Sequence, residues 1–183
     1  MKKNLVLLVF TGFLLIPGQL SLAQETVANK LFYAELGGTG VIMSANWDAR
    51  FSSNSRLGLG YRLGIGFNTG RFPDKQVSDS YGTYYENVIR TIYAFPVGLN
   101  YVLGKENRAS TFEIGAGATI LARKTSLFNY ELEKQGHVIG FCNFIYRLMP
   151  VNGGFSLRVG FTPLIGTAGD LYPMAAIALG YAF

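Results

Sequence analysis

The chain has 183 residues, with sixteen Lys+Arg against eleven Asp+Glu. Setting aside Lys2 and Lys3 leaves fourteen against eleven, a surplus of three with no basic run, which excludes a nucleic-acid-binding signature. The length fits one domain, and a single cysteine, Cys142, excludes an intrachain disulfide.

The N-terminus carries the pattern of a secretory signal. Lys2 and Lys3 precede an apolar stretch over 5–16, Pro17-Gly18 breaks it, and Ser21-Leu22-Ala23 offers small residues where a signal peptidase reads. The apolar stretch is too short to span a bilayer, which takes about twenty residues. No cysteine follows the cleavage site, so a lipoprotein anchor is disfavoured. Residues 1–23 are expected to be the signal and 24–183 the mature domain. No later apolar run reaches helix-spanning length, so a membrane location requires strands, because only helices and closed barrels satisfy the backbone in lipid.

The remainder divides into eight segments that alternate with period two, the period of a strand. Over 31–38, Phe32, Ala34 and Leu36 oppose Tyr33, Glu35 and Gly37. Over 41–51, Met43, Ala45, Trp47, Ala49 and Phe51 oppose Ser44, Asn46, Asp48 and Arg50. The stretch 56–68 is the clearest: Leu57, Leu59, Tyr61, Leu63, Ile65 and Phe67 alternate with glycine, arginine and asparagine, Arg62 among them. Segment 88–101 sets Ile89, Thr91, Tyr93, Phe95, Val97, Leu99 and Tyr101 against Arg90, Ala94, Pro96, Gly98 and Asn100. Pro96 cannot donate to a ladder and predicts a bulge or kink.

Segment 111–123 sets Phe112, Ile114, Ala116, Ala118 and Ile120 against Glu113, Gly115, Gly117, Thr119 and Arg123. Segment 138–148 sets Cys142, Phe144, Tyr146 and Leu148 against Asn143 and Arg147, with Phe141 and Ile145 interrupting the polar face. Segment 154–163 sets Phe155, Leu157, Val159 and Phe161 against Ser156, Arg158, Gly160 and Thr162. The last, 174–183, sets Ala175, Ile177, Leu179, Tyr181 and Phe183 against Ala176, Ala178, Gly180 and Ala182.

The charges decide which solvent each face meets. Glu35, Asp48, Arg50, Arg62, Arg90, Glu113, Arg123, Arg147 and Arg158 all fall on the small, polar face. A basic residue facing lipid at mid-bilayer costs about 2–4 kcal/mol, so this segregation fits a barrel with lipid outside and charges inside. A soluble barrel would invert it. The connections at one end are short, 52–55, 102–110 and 149–153. At the other end, 69–87 and 124–137 are long, 164–173 is intermediate, and Gly38-Thr39-Gly40 is a tight hairpin. Short periplasmic turns and long outer loops are the asymmetry of outer-membrane barrels. The fold expected is therefore an all-β, eight-stranded antiparallel up-and-down transmembrane barrel.

The terminal Leu179-Gly180-Tyr181-Ala182-Phe183, with aromatics at alternate positions and a final Phe, resembles the assembly signal of outer-membrane barrels. With Ser44-Ala45-Asn46-Trp47-Asp48-Ala49-Arg50-Phe51, Gly60-Tyr61-Arg62-Leu63-Gly64, Phe95-Pro96-Val97-Gly98-Leu99-Asn100-Tyr101 and Gly160-Phe161-Thr162-Pro163, most of the mature chain resembles the small OmpA/OmpX-like outer-membrane barrels. The resemblance implies a Gram-negative outer membrane, contact with its lipid, and recognition of Leu179, Tyr181 and Phe183 by the barrel-assembly machinery.

Eight strands enclose an interior just wide enough for side chains. Arg62, Arg147 and Arg158 are expected to pair there with Glu35, Asp48 and Glu113, since an unpaired buried charge is costly. The polar plug so formed would seal the barrel. A narrow ion or small-solute pore is the rival, and six arginines to three acids on this face would make any leak favour anions. A lipid A-modifying enzyme is a second rival. His137 is the lone histidine, with Ser126 and Glu131 in the same loop, but no Ser/His pair stands at strand spacing. A soluble lipocalin-like carrier is a third. No metal-ligand spacing, phosphate-binding loop or EF-hand loop is present, and no cofactor is expected. Tyr81, Tyr84 and Tyr85 lie in the 69–87 connection, where tyrosines serve either as contacts for an extracellular ligand or as an interfacial girdle. The connection 124–137 is the other place for such a ligand. Cys142 is expected to face lipid as a small apolar residue. The role expected is non-enzymatic, structural or in surface interaction through the outer connections.

Overall fold

A computed structural model describes residues 27–79, 82–125, 136–166 and 169–183, and for 70–89 and Thr125 it describes the backbone. The expected signal segment 1–23 lies outside these residues. The strands are β1 (Lys30–Gly37), β2 (Met43–Arg50), β3 (Gly58–Asp79), β4 (Gly82–Leu103), β5 (Ser110–Thr125), β6 (Gly136–Leu148), β7 (Gly154–Phe161), two short strands β8 (Leu164–Ile165) and β9 (Leu171–Tyr172), and β10 (Ala175–Ala182). Each of β1 to β6 pairs antiparallel with the next, and β10 pairs with both β7 and β1. The result is a closed, eight-stranded, up-and-down barrel, as the alternation predicts. Closure leaves no sheet edge around the ring.

Alternation sets the two surfaces. Phe32, Leu36, Leu59, Leu63, Phe95, Leu99, Phe112, Phe144, Val159, Ile177 and Leu179 are exposed on the outside, while Glu35, Asp48, Arg62, Glu113, Arg147 and Arg158 are buried inside. The glycines of the inward face make room for these side chains. Phe141 lies over Gly98 and Gly117, where a Cβ at 117 would stand 2.5 Å from the Phe141 ring and 2.2 Å from the Val97 carbonyl oxygen.

Two local expectations, on 69–87 and on Pro96, are corrected, and two connections take a defined form. The connection 69–87 is not a loop but the continuation of β3 and β4, paired out to Asp79↔Gly82. The β2–β3 ladder stops at Met43↔Phe67 and the β4–β5 ladder at Ala94↔Leu121, so in the sheet 68–79 and 82–92 are laddered only with each other among the described residues. At about 3.3 Å per residue, this hairpin projects roughly 40 Å beyond its neighbours. Pro96 causes no bulge: Leu63↔Val97 and Gly66↔Ala94 keep one register, and the shift falls instead between Pro73 and Lys75. The 164–173 connection folds back as the β8–β9 hairpin, which pairs with β6 through Gly140↔Ile165 and Phe141↔Leu164.

The tight hairpin expected at 38–40 joins β1 to β2. Gly38–Gly40 forms one 3-10 turn that dips into the barrel mouth, and all three residues are buried. Gly37 and Gly38 take left-handed φ values of 69° and 66°, which glycine adopts without strain. Val41 follows at φ 75° and ψ −71°, a γ-turn conformation costly for a β-branched residue. It is held by its side chain, which packs with Ala94, Leu121, Ile139, Phe141 and Leu164, and by the Ile42 N–H donated to Asn68 Oδ1 at 2.8 Å. The far half of the lumen is therefore an apolar plug. Phe141, like Ile145, faces inward as the interrupted pattern of that segment allowed.

Steric closeness at Gly117 gives a direct test. Gly117→Val is expected to lower stability by at least about 1–3 kcal/mol through overpacking. Gly140→Ala meets Ile165 at an ordinary 3.5 Å and should stay within about 0.5 kcal/mol. Urea unfolding followed by fluorescence of the single tryptophan, Trp47, reads both.

Candidate functional site

The distinctive chemistry lies inside the barrel, between the apolar plug and the end that carries Lys30 and Phe183, here called the near end. Inward positions on adjacent strands fall into level rows through the ladder register. Asp48 stands opposite Arg62 on β2–β3, and Arg147 opposite Arg158 on β6–β7. Like charges directly opposite repel, so Arg147 and Arg158 need a shared counter-charge.

Glu113 supplies it. It has no exposed surface and accepts from Arg147 Nη1 at 2.9 Å, from Arg158 Nη2 at 2.7 and 2.8 Å, and from Arg62 Nη2 at 3.2 Å. Arg147 also reaches Asp48 Oδ1 at 3.4 Å, and Asp48 accepts from Arg50 Nη2 at 2.5 Å and from Asn100 Nδ2. Arg50 further donates to the Gly58 carbonyl at 2.9 Å. Toward the far end, Arg62 Nη1 lies 3.8 Å from Glu35 Oε1 and donates to Thr39 Oγ1 at 3.2 Å, while Thr39 donates to Glu35 Oε2 at 2.9 Å. Thr119 donates to the Thr39 carbonyl at 2.6 Å. One connected network thus runs from the inward turn to the start of β3.

An aromatic ring completes it. Arg158 lies 4.1 Å from the Tyr33 ring centroid and Arg62 5.4 Å from it. Cation–π contacts of this kind are worth about 0.5–2 kcal/mol when desolvated, so Tyr33 softens the approach of two guanidiniums to each other.

Seven of the nine charged positions named from the sequence are therefore buried together. Arg90 is half-buried, and Arg123 is exposed beyond the last β4–β5 pair, where the β5–β6 ladder is interrupted between Ile120 and Thr125. Tyr81 lies outside the described residues, and Tyr84 and Tyr85 are described only as backbone of β4. Leu179, Tyr181 and Phe183 are exposed on the outer surface at alternate positions of and just after β10. His137 is exposed at the start of β6 with Nδ1 3.1 Å from the Leu121 carbonyl oxygen, while Ser126 and Glu131 lie outside the described residues. Cys142 is half-buried on an outward position.

Sequence reading left out Arg56, Thr39, Asn100 and Tyr33. Arg56 is 1% exposed and donates Nη2 to the Met149 carbonyl at 2.6 Å. Burial, then the like charge of Arg147, lower its pKa from the usual guanidinium value. Its even-numbered parity with Arg62 was the signal that places it inside. Thr39 had none, since nothing in Gly-Thr-Gly says that the turn dips inward.

Removing Glu113 leaves three guanidiniums without their common acceptor. Glu113→Gln is expected to cost about 3–5 kcal/mol, the range for breaking a buried ionic cluster from one side. Arg123→Gln at the exposed rim should change stability by less than about 0.5 kcal/mol. Urea titrations of protein refolded in phospholipid vesicles measure both.

Comparison with known proteins places the architecture. No protein-family model matches the sequence, and no curated protein matches it. Among solved structures, the crystal structure of the N-terminal β-barrel domain of Pseudomonas aeruginosa OprF is similar, at 11% identity and a TM-score of 0.50, over 87% of this chain and 98% of that one. At that identity the shared property is the fold: this chain is built as an eight-stranded antiparallel β-barrel like that domain.

Proposed function

We propose that the chain is an integral outer-membrane β-barrel protein of a Gram-negative bacterium, and that it acts at the cell surface through its projecting β3–β4 hairpin without catalysing a reaction. The observation that carries the membrane placement is the inversion of the barrel. Large apolar side chains cover the outside, and eight charged side chains are buried inside among the described residues. In water each exposed Leu or Phe would forgo about 1.5–3 kcal/mol of burial, and no partner layer covers them among the described residues. Aromatic pairs lie toward both ends: Trp47–Phe183 and Phe51–Tyr61 near the termini, Phe67–Tyr93 toward the far end. That arrangement fits the two interfacial girdles of a transmembrane barrel. The near end is then periplasmic, and exposed Leu179, Tyr181 and Phe183 are available to the assembly machinery.

The hairpin supports a surface role. Beyond the ring its strands have free outer edges among the described residues, and an exposed edge can pair with an extended segment of another chain. The β3 edge carries Pro73 and a register shift, which discourage pairing. The β4 edge, Thr83-Tyr84-Tyr85-Glu86-Asn87-Val88-Ile89, has no such guard and is rich in strand-forming residues. The filled lumen favours a scaffold over the narrow pore, and it offers neither the roomy apolar interior of a lipid-modifying barrel nor the cavity of a soluble carrier.

Three measurements test the proposal. Fractionation should recover the protein with the outer membrane, and it should migrate differently on detergent gels before and after heating; a soluble periplasmic protein would refute the placement. Replacing 70–89 by a two-residue turn should leave folding intact and abolish binding to extracellular ligands or surfaces. Planar bilayers should show no conductance steps, and any residual leak should prefer anions over cations.

A further inference from the structure

Five arginines are buried among the described lumen residues, Arg50, Arg56, Arg62, Arg147 and Arg158, against three carboxylates, Glu35, Asp48 and Glu113. Five minus three leaves two positive charges without a carboxylate. Four of the arginines come within ion-pair distance of an acid. Arg56 does not, among the described residues. Its Nε and Nη1 are buried without a hydrogen-bond partner there, while Nη2 goes to the carbonyls of Met149 at 2.6 Å and Ala109 at 3.5 Å.

Those unused donors have company. Met149 N–H donates to the Ala109 carbonyl at 2.9 Å, and the next inward pair on the same two strands is Thr111↔Arg147, about 7 Å further along the lumen. Thr111 Oγ1 and Arg147 Nε are likewise buried without a partner among the described residues, and Arg147 Nη2 turns back to Met149 Sδ at 3.8 Å. Glu106 acts on Arg56 electrostatically, but it is exposed and accepts its hydrogen bond from Ser55. A guanidinium does not shed its proton to escape burial. Water can satisfy its N–H groups but cannot balance its charge.

We propose that Arg56, Arg147 and Thr111 form a binding site for one small inorganic anion, a halide or phosphate, at the near end of the lumen. The site is small because side chains fill an eight-stranded interior. The wall beside Thr111 is Gly104, where even a Cβ would meet Thr111 Cγ2 at 2.8 Å. This site owes nothing to the projecting hairpin and stands whether or not the hairpin binds a partner.

The test uses the chain from Gln24 refolded in phosphate-free maltoside micelles, with Trp47 fluorescence reporting the urea midpoint. Sodium bromide, then inorganic phosphate, replaces sodium gluconate at fixed ionic strength. A ligand that binds only the folded state raises the midpoint saturably. The wild type should show this rise, Arg56→Gln should lose it, and Thr111→Val, which keeps the charge, should weaken the apparent affinity roughly tenfold. Crystals grown in bromide should show anomalous density within hydrogen-bonding distance of Arg56, a readout that stands even if Arg56→Gln does not fold. Four results would overturn the proposal: a flat wild-type response, an unchanged response in Arg56→Gln, a rise that requires added phospholipid, or a flat wild type made anion-dependent by Glu25→Gln. The third would assign the charge to a lipid headgroup and the fourth to the chain's own Glu25.

Discussion

Glu113, with no exposed surface and three guanidiniums around it, is the contact on which the interior depends. It sits on β5, and its partners come from β3, β6 and β7, so four walls of the barrel meet at one carboxylate. Arg147 extends the connection to Asp48 on β2, and Arg62 extends it to Glu35 on β1. Each strand is hydrogen-bonded only to its neighbours, but through this network strands across the ring are bonded directly. Buried charges are expensive to desolvate, and mutual pairing offsets that cost.

The interior has two layers with different physics. Toward the near end it is ionic, and toward the far end it is apolar, where Val41, Ala94, Leu121, Ile139, Phe141 and Leu164 pack together. Thr39 joins the layers: its hydroxyl belongs to the Arg62–Glu35 pair, and its turn carries Val41 into the apolar cluster. The strained backbone at Val41 is maintained because both layers hold the turn at once. A lumen filled in this way resists deformation.

Outside the ring the balance reverses. The β3–β4 hairpin has no neighbouring strand in its ladder for its last eleven pairs, from Asn68↔Ile92 to Asp79↔Gly82, among the described residues. Its backbone pairing continues the ladder without the lumen network to anchor it. On the proposed reading, this two-stranded arm on a filled barrel presents its edge to the surroundings.

The sequence by itself determined the number of barrel strands, their antiparallel order and the inward face of Glu35, Asp48, Arg50, Arg62, Glu113, Arg147 and Arg158, because period-two alternation is a local property that the ladder carries around the ring. It also marked Phe141 and Ile145 as exceptions to the polar face without saying what they pack against. Tertiary structure alone decided which arginine meets which acid, since Glu113 and Arg158 are 45 residues apart and their meeting depends on curvature and register across the ring. It alone decided that Gly38–Gly40 dips inward, that 69–87 continues as strands, and that Pro96 leaves the register intact. Loop composition predicted otherwise in the second case because Gly70, Pro73 and Asp79 read as turn residues, whereas a ladder already formed below them carried the pairing upward. Arg56 shows the boundary between the two: it shares the parity of Arg62, and only the closed ring shows that no carboxylate of the described residues comes within ion-pair distance of it.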